Sequence, residues 1–201
     1  MQLLIATSNP GKLREYRILL AGAPVEILSL HDVGLGAMDV VETGKTFEAN
    51  ARLKAEAYAQ ASGMTALADD TGLVVDALNG APGVYSARYG GAALTMADRR
   101  AKILAELDGL PDDERTARFV CVIALTTPNG ETFTVEGVCD GRIAREDRGG
   151  ASGFGYDAIF IPDGFDVTWS QVSLDDKNRV SHRGAAARAI LPILTRLAAE
   201  S

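Results

Sequence analysis

Cysteine and long hydrophobic runs are both scarce in this sequence of 201 residues. The two cysteines, Cys121 and Cys139, lie in strand-like runs without the spacing of metal ligands, so we expect reduced thiols in the core. The longest apolar run covers residues 119–125, which is far too short to span a bilayer, and the chain begins without a basic leader. We therefore expect a cytoplasmic protein with no membrane association.

Positive charge is also scarce, because 20 Lys and Arg residues are outnumbered by 27 Asp and Glu residues, which gives a net charge of -7. A nucleic-acid binder needs a basic surface to meet the phosphate backbone, so we expect no nucleic-acid partner. A small anionic ligand is compatible with this balance, because a few local cations can outweigh the global charge. The length and the 47% hydrophobic content suit one globular domain over residues 1–201, either undivided or built as two lobes.

Two adjacent carboxylates, Asp69 and Asp70, stand between two short apolar runs. If both runs are buried strands, the acidic pair lies at a strand end. Adjacent side chains on an extended backbone point to opposite faces, so we expect one carboxylate to meet a metal or water and the other to support the loop. An ordinary Asp-Asp-Thr-Gly turn is the alternative, since Asp and Gly are favoured turn residues.

The N-terminal segment has the pattern of an anion site. A strand over residues 2–6 is followed by a loop of small residues and by a helix over residues 13–21. Asn9 is a candidate N-cap, Pro10 suits the first turn, and the helix N-terminus with Lys12 favours a bound anion. The alternative is a capped helix with a solvated lysine, and the loop is not a Walker A motif.

A second helix is predicted over residues 46–61, where Asn50 and Lys54 are four apart and share one face. Lys54 there can reach a phosphate or simply remain solvated. Glu42, just before this helix, is either a metal ligand or a favourable charge near the helix N-terminus.

Antiparallel pairing is predicted further on, because strands over residues 118–126 and 132–138 flank a Pro-Asn-Gly turn. A helix is predicted over residues 95–107 and another over residues 181–199. The sheet is therefore not purely parallel.

The last third of the chain carries candidate ligand-binding residues. Phe154 lies in a glycine-rich stretch and offers a ring for base stacking, although a flexible hinge explains the glycines as well. His182 and Arg183 occupy the first turn of the last helix, where the dipole disfavours cations at a cost of about 0.3 to 1 kcal/mol. That cost suggests a use beyond helix stability.

Together these stretches resemble the inosine/xanthosine triphosphate pyrophosphatases, also called the Ham1-like family. The resemblance implies an α/β fold with a long mixed sheet flanked by helices, two lobes with the active site in the cleft between them, and a homodimer. It also implies Mg²⁺-dependent hydrolysis of ITP, dITP and XTP to the monophosphate and pyrophosphate. The alternatives are a related pyrophosphatase for pyrimidine or modified nucleotides and a nucleotide sensor that does not hydrolyse. The matching blocks, which run through almost the whole chain, are residues 7–12, 42–47, 68–73, 81–89, 153–157 and 181–184.

The resemblance assigns roles residue by residue. Asp70 is the implied catalytic proton acceptor, and Glu42 and Asp70 are the implied metal ligands. The implied phosphate-binding and nucleoside-binding residues are Thr7, Ser8, Asn9, Pro10, Gly11, Lys12, Lys54, Thr71, Phe154, Gly155, Tyr156, Asp157, Lys177, His182 and Arg183.

The second block departs from the family pattern Phe-x-Glu-Asn-Ala. Here Glu48 comes one position early and Ala49 takes the place of the family glutamate. One residue turns a helical side chain by about 100°, so Glu48 is not expected to inherit that role. Metal coordination then depends more on Glu42 and the acidic pair.

Overall fold

A single mixed sheet of six strands organises the computed structural model, which describes residues 1–149 and 155–200. The strands are β1 (Gln2–Ile5), β2 (Glu26–Ser29), β3 (Thr65–Val75), β4 (Thr116–Thr126), β5 (Thr132–Ile143) and β6 (Phe160–Pro162). Their order in the sheet is β2-β1-β3-β4-β5-β6. β1 pairs in parallel with β2 and β3, whereas β5 and β6 are antiparallel, which confirms the predicted α/β class with a mixed sheet.

The hairpin between β4 and β5 is also confirmed. The Thr127 amide donates to the Glu131 carbonyl at 2.9 Å, and Gly130 has a φ of 88°. Glycine adopts this left-handed conformation without a steric penalty, so the turn closes over the Pro-Asn-Gly sequence.

The helices follow their capping signals. They are α1 (Pro10–Leu19), α2 (Phe47–Ser62), α3 (Met96–Glu106), α4 (Leu174–Val180) and α5 (His182–Ala199). α1 begins three residues earlier than the predicted residue 13, because the Asn9 side chain already caps the amides of Gly11 and Lys12. α4 was not predicted, and it begins where Ser173 caps the Asp176 amide. Among the described residues, no helix combines the length and apolar character needed to cross a membrane.

The acidic pair lies inside a strand, so the prediction that it lies at a strand end was wrong. β3 runs without a break from Thr65 to Val75 and carries Asp69 and Asp70 at its middle. A carboxylate can occupy a buried strand position when it has hydrogen-bonding or charged partners, and both aspartates have them. The alternative of an Asp-Asp-Thr-Gly turn is also wrong, because β3 continues without a break through these four residues.

The chain divides into two compact units. Unit 1 comprises residues 1–70, 121–137 and the C-terminal segment from Arg183. Its core packs α1 and α5 against the sheet, and α5 contributes one stripe at a spacing of four, Ala186, Ile190 and Leu194. Tyr16 of α1 is fully buried in the same core.

Unit 2 comprises Thr71–Val120 and Val138–His182 and has a more aromatic core. Phe160 packs edge-on against Phe119 with ring centroids 4.8 Å apart, and Trp169 lies 6.3 Å from Phe160. Trp169 is 1% exposed and is the single tryptophan of the chain. The predicted lobes with an active-site cleft stay a prediction.

Candidate active site

Asp69 is the centre of a buried ion-pair network in unit 1. Asp69 is 3% exposed, and its Oδ2 lies 2.8 Å from Lys12 Nζ and 3.4 Å from Arg183 Nη2. Arg183 also pairs with Glu15 of α1. Burial alone would raise the pKa of Asp69, but Lys12, Arg183 and Lys54 outweigh it and hold that pKa well below its usual range. Asp69 is therefore a permanent counter-ion for the surrounding cations.

Asp70 has a different partner, the Asn50 amide of α2. Asn50 Nδ2 donates to Asp70 Oδ2 at 3.0 Å, and Asn50 Oδ1 accepts the Gly44 amide at 2.8 Å. Because a backbone N–H can only donate, the Gly44 contact orients the amide with its NH₂ group toward Asp70. A Cβ at Gly44 would lie 2.5 Å from Asn50 Oδ1, so this close approach requires glycine. Burial raises the pKa of Asp70 above its ordinary value, although Lys54 and the Asn50 hydrogen bond oppose the rise.

The prediction that the two carboxylates face different groups is confirmed. Asp69 supports Lys12, which belongs to the predicted phosphate loop, while Asp70 meets Asn50. Contact of Asp70 with a metal or water stays a prediction. Sequence reasoning noted the helical spacing of Asn50 from Lys54 but gave Asn50 no role, although an amide one helical turn before a candidate phosphate-binding lysine was a usable signal.

Lys54 is embedded among acids rather than simply solvated. Its ammonium pairs with Glu42, and its side chain is 14% exposed. Burial opposes the charged form, but Asp69, Asp70 and Glu42 together raise the pKa of Lys54 above its ordinary value. The structure thus brings Lys12, Lys54, Glu42 and the acidic pair together in unit 1.

The loop over residues 7–12 is held by its own side chains. Asn9 Oδ1 accepts the amides of Gly11 at 2.8 Å and Lys12 at 3.3 Å, and the Asn9 amide donates to Thr7 Oγ1 at 3.2 Å. The predicted N-cap is therefore confirmed. Phosphate binding by Thr7, Ser8, Asn9, Pro10, Gly11 and Lys12 stays a prediction, and a phosphate at these amides would compete with the Asn9 side chain.

In unit 2, Lys177 of α4 forms a buried ion pair with Asp157. Lys177 Nζ lies 2.5 Å from Asp157 Oδ2 and 6.0 Å from the centre of the Trp169 ring. The Lys177 side chain is 10% exposed and that of Asp157 is 4% exposed. The Asp157 carboxylate and the Trp169 ring therefore both restrict the direction in which the Lys177 ammonium can donate a hydrogen bond.

Other predicted nucleoside-binding residues of unit 2 have structural partners too. Tyr156 donates its hydroxyl to the Ser86 carbonyl at 2.8 Å, and burial raises its pKa to about 12. The His182 ring stacks on Phe119 with centroids 4.8 Å apart. Phe154 lies outside the described residues.

Arg183 has partners in unit 1. It follows His182 in the chain, but its guanidinium pairs with Asp69 and Glu15 of unit 1. Its predicted part in base recognition stays a prediction, and its observed contacts are those of a counter-ion.

Glu42 and Asp70 are the carboxylates that could hold a divalent cation. Glu42 adds to the rise in the pKa of Asp70, so the two negative charges repel, and a cation would relieve that repulsion. Within the described residues, no three His, Cys, Asp or Glu side chains are grouped to hold a metal. This donor set still fits Mg²⁺, which is commonly bound by one or two carboxylates together with substrate phosphates.

Glu48 lies in the first turn of α2, and the expectation that it does not take the role of the family glutamate stays a prediction. Glu48 lines a pocket of about 370 Å³ whose wall includes Phe47, Thr134 and Glu136. Ala49, at the position of the family glutamate, gives its amide to the Thr46 cap.

Comparisons with known proteins agree along nearly the full length. The Ham1 family model matches residues 3–193. The chain is 46% identical to "dITP/XTP pyrophosphatase" of Desulforamulus reducens, covering 98% of this chain and 97% of the relative. It is 45% identical to the protein of the same name from Bacillus subtilis, covering 95% and 96%. Among solved structures, a HAM1 protein from Coxiella burnetii superimposes with a TM-score of 0.87 at 40% identity, covering 98% and 99%.

Proposed function

The chain belongs to the Ham1 family, and on that premise we propose that it hydrolyses the deaminated purine nucleoside triphosphates ITP, dITP and XTP. The products are the nucleoside monophosphate and pyrophosphate, so the reaction clears abnormal purines from the nucleotide pool. Relatives named dITP/XTP pyrophosphatase support this activity. The observation of this chain that carries the proposal is the buried pair Asp69 and Asp70 with Lys12 and Lys54 beside it.

In this proposal, Lys12 and Lys54 neutralise the triphosphate. Each ammonium is already held beside a carboxylate, Asp69 for Lys12 and Glu42 for Lys54. Neutralising the phosphate oxygens lowers the barrier for water to approach the α-phosphorus, and prepositioned charges do this without reorganisation. The loop over residues 7–12 adds backbone donors at the N-terminus of α1.

Asp70 accepts the proton of the attacking water. Burial raises its pKa, which makes its carboxylate a stronger base than that of an ordinary aspartate. The Asn50 amide holds one carboxylate oxygen and thereby sets the plane of the group. Thr71 follows on β3 and is proposed to lie beside the substrate.

Glu42 and Asp70 would hold Mg²⁺, since theirs are the carboxylates whose repulsion a cation relieves. When bound, the ion would stabilise the negative charge that develops on the departing pyrophosphate. Ala49 supplies no ligand, so the site has one carboxylate fewer than the family pattern.

Base recognition is proposed for Phe154, Gly155, Tyr156, Asp157, Lys177, His182 and Arg183. Lys177 is the donor suited to a purine 6-oxo group, because Asp157 and Trp169 constrain its ammonium. Adenine carries a 6-amino donor at that position, so a donor facing it would be left unpaired. Such polar mismatches discriminate strongly between substrates.

The test is pyrophosphate release from ITP, dITP, XTP, ATP, GTP and dTTP, with and without Mg²⁺, by the wild type and by Asp70→Asn. We expect release from the deaminated purines that requires Mg²⁺ and is lost in the variant. Release from dTTP but not from dITP would contradict the proposed substrate class. Nucleotide binding without any release would contradict the proposed reaction.

We also propose a cytoplasmic homodimer, on the strength of the family resemblance. Light scattering coupled to size-exclusion chromatography measures the mass directly. A monomer mass at micromolar concentration would contradict this proposal.

A further inference from the structure

We propose that Arg100 of α3 is a positioning residue for three of the base-binding residues, Gly155, Tyr156 and Asp157. The inference rests on the proposed function, because it assigns Arg100 a part in nucleotide affinity. Arg100 lies outside all six blocks that match the family.

The Arg100 guanidinium joins two segments of unit 2. Its Nε donates to Asp147 Oδ2 at 2.6 Å, and its Nη1 donates to the Gly155 carbonyl at 2.9 Å. The Arg100 side chain is 19% exposed and that of Asp147 is 35% exposed. A planar guanidinium can hold two acceptors at a fixed separation, whereas a lysine ammonium is a single point charge on a flexible stem.

Backbone hydrogen bonds already join these two segments. The Ala144 amide donates to the Ile159 carbonyl, and the Arg148 amide donates to the Ala158 carbonyl, both at 2.8 Å. Arg100 adds a side-chain link between residues 147 and 155, beyond the reach of those backbone bonds. Gly155 would therefore lose its described side-chain anchor if the guanidinium were removed.

The position of Gly155 matters because two candidate ligand-binding residues, Tyr156 and Asp157, follow it directly. Gly155 has a left-handed φ of 65°, and its carbonyl belongs to the peptide that leads into Tyr156. Tyr156 is hydrogen-bonded to Ser86, and Asp157 is ion-paired with Lys177. Loosening this peptide should disturb the direction of the Lys177 ammonium through Asp157. The contacts of Lys12 with Asp69 involve none of these residues.

The test compares two product fragments, IMP and inorganic pyrophosphate, by isothermal titration calorimetry in the same Mg²⁺ buffer. For Arg100→Ala we expect the Kd of IMP to rise about tenfold, which equals about 1.4 kcal/mol, while the Kd of pyrophosphate stays within about twofold. In dITP hydrolysis, KM should rise by about the same factor while kcat changes by less than about threefold.

Arg145→Ala is the matched control. Arg145 forms an ion pair of the same length, 2.6 Å, with Asp112, but both partners are more than half exposed. We expect it to bind IMP as the wild type does. Arg100→Lys should behave as Arg100→Ala, because it cannot bridge both acceptors, and adding Asp147→Ala to Arg100→Ala should cause no further loss.

Unchanged IMP affinity in Arg100→Ala would overturn the inference, as would an equal loss for IMP and pyrophosphate, which would indicate general destabilisation. Full activity of Arg100→Lys would show that charge alone suffices and would overturn the bridging role. If the wild type binds IMP but hydrolyses no triphosphate, the proposed function fails while the IMP titration still decides the role of Arg100.

Discussion

Asp69 and Asp70 are consecutive on one strand, yet their surroundings are of different kinds. Asp69 faces Lys12 and Arg183, which hold its pKa low, whereas burial raises the pKa of Asp70 and a neutral amide, Asn50, binds it. A carboxylate between two cations is a poor base and a good structural anchor. A buried carboxylate with a neutral donor is the better base. Strand alternation thus separates a structural role from a chemical one within two residues.

The sharpest test of this difference is Asp70→Asn. We expect dITP turnover to fall about 10³-fold, because removing a general base typically costs 10² to 10⁴. The circular dichroism spectrum should stay that of the wild type, since Asn50 can still hydrogen-bond to the new amide. Turnover within a few-fold of the wild type would assign the base elsewhere.

Asp69→Asn should instead lower the free energy of unfolding. The substitution leaves the buried Arg183 and the partly buried Lys12 without their shared carboxylate, and breaking a buried pair in this way costs about 3 kcal/mol. Urea unfolding of the variant and the wild type measures this loss. An unchanged unfolding midpoint would mean that Glu15 alone satisfies Arg183.

Asn50→Ala removes the neutral hydrogen-bond donor to Asp70. Losing a hydrogen bond to a charged group is worth about 2 kcal/mol, so we expect kcat for dITP to fall about thirtyfold. Gly44→Ala should lower kcat in the same direction, because its Cβ would displace the Asn50 amide. A normal kcat in both variants would remove Asn50 from the positioning of Asp70.

The smallest expected effect is the pH dependence of stability. Asp69 has a depressed folded pKa, so its stabilisation is complete above the unfolded pKa of about 3.9 and is lost as the pH falls below it. Asp70 has a raised folded pKa, so its ionisation opposes folding as the pH rises above about 3.9.

Urea unfolding of Asp69→Asn and Asp70→Asn between pH 3 and pH 7 would therefore give differences from the wild type of opposite sign. Asp69→Asn should be less stable than the wild type at neutral pH, and Asp70→Asn should be more stable. Both differences should shrink toward acid pH. Differences of the same sign would contradict the separation of roles.

Much of this arrangement could be predicted from sequence, where local chemistry decides it. Three features could be predicted in this way: the Asn9 cap of α1, the hairpin turn at Gly130, and the different partners of Asp69 and Asp70. The uninterrupted course of β3 could not be predicted, because it depends on partners such as Lys12 and Asn50 that come from distant helices. The short helix α4 was missed because its polar sequence has no apolar stripe.

Side-chain partners over long separations were the least predictable. Arg183 lies next to His182 in the chain, but it pairs with Glu15, which is 168 residues away. Arg100 belongs to a predicted amphipathic helix, and nothing in that helical pattern indicates its contact with the Gly155 carbonyl. Sequence spacing reports neighbours along an element, whereas these contacts depend on how elements pack.

The single tryptophan provides an intrinsic fluorescence probe. Trp169 is buried in the core of unit 2 beside Phe160, Phe165 and the Lys177 ammonium, so its fluorescence reports on that unit alone. Peptide circular dichroism reports instead on all five helices named above, of which α1, α2 and α5 lie mostly in unit 1. Coincident unfolding curves from the two signals would show that the strands carrying residues of both units melt as one cooperative block. Curves that separate would reveal an intermediate with one unit folded.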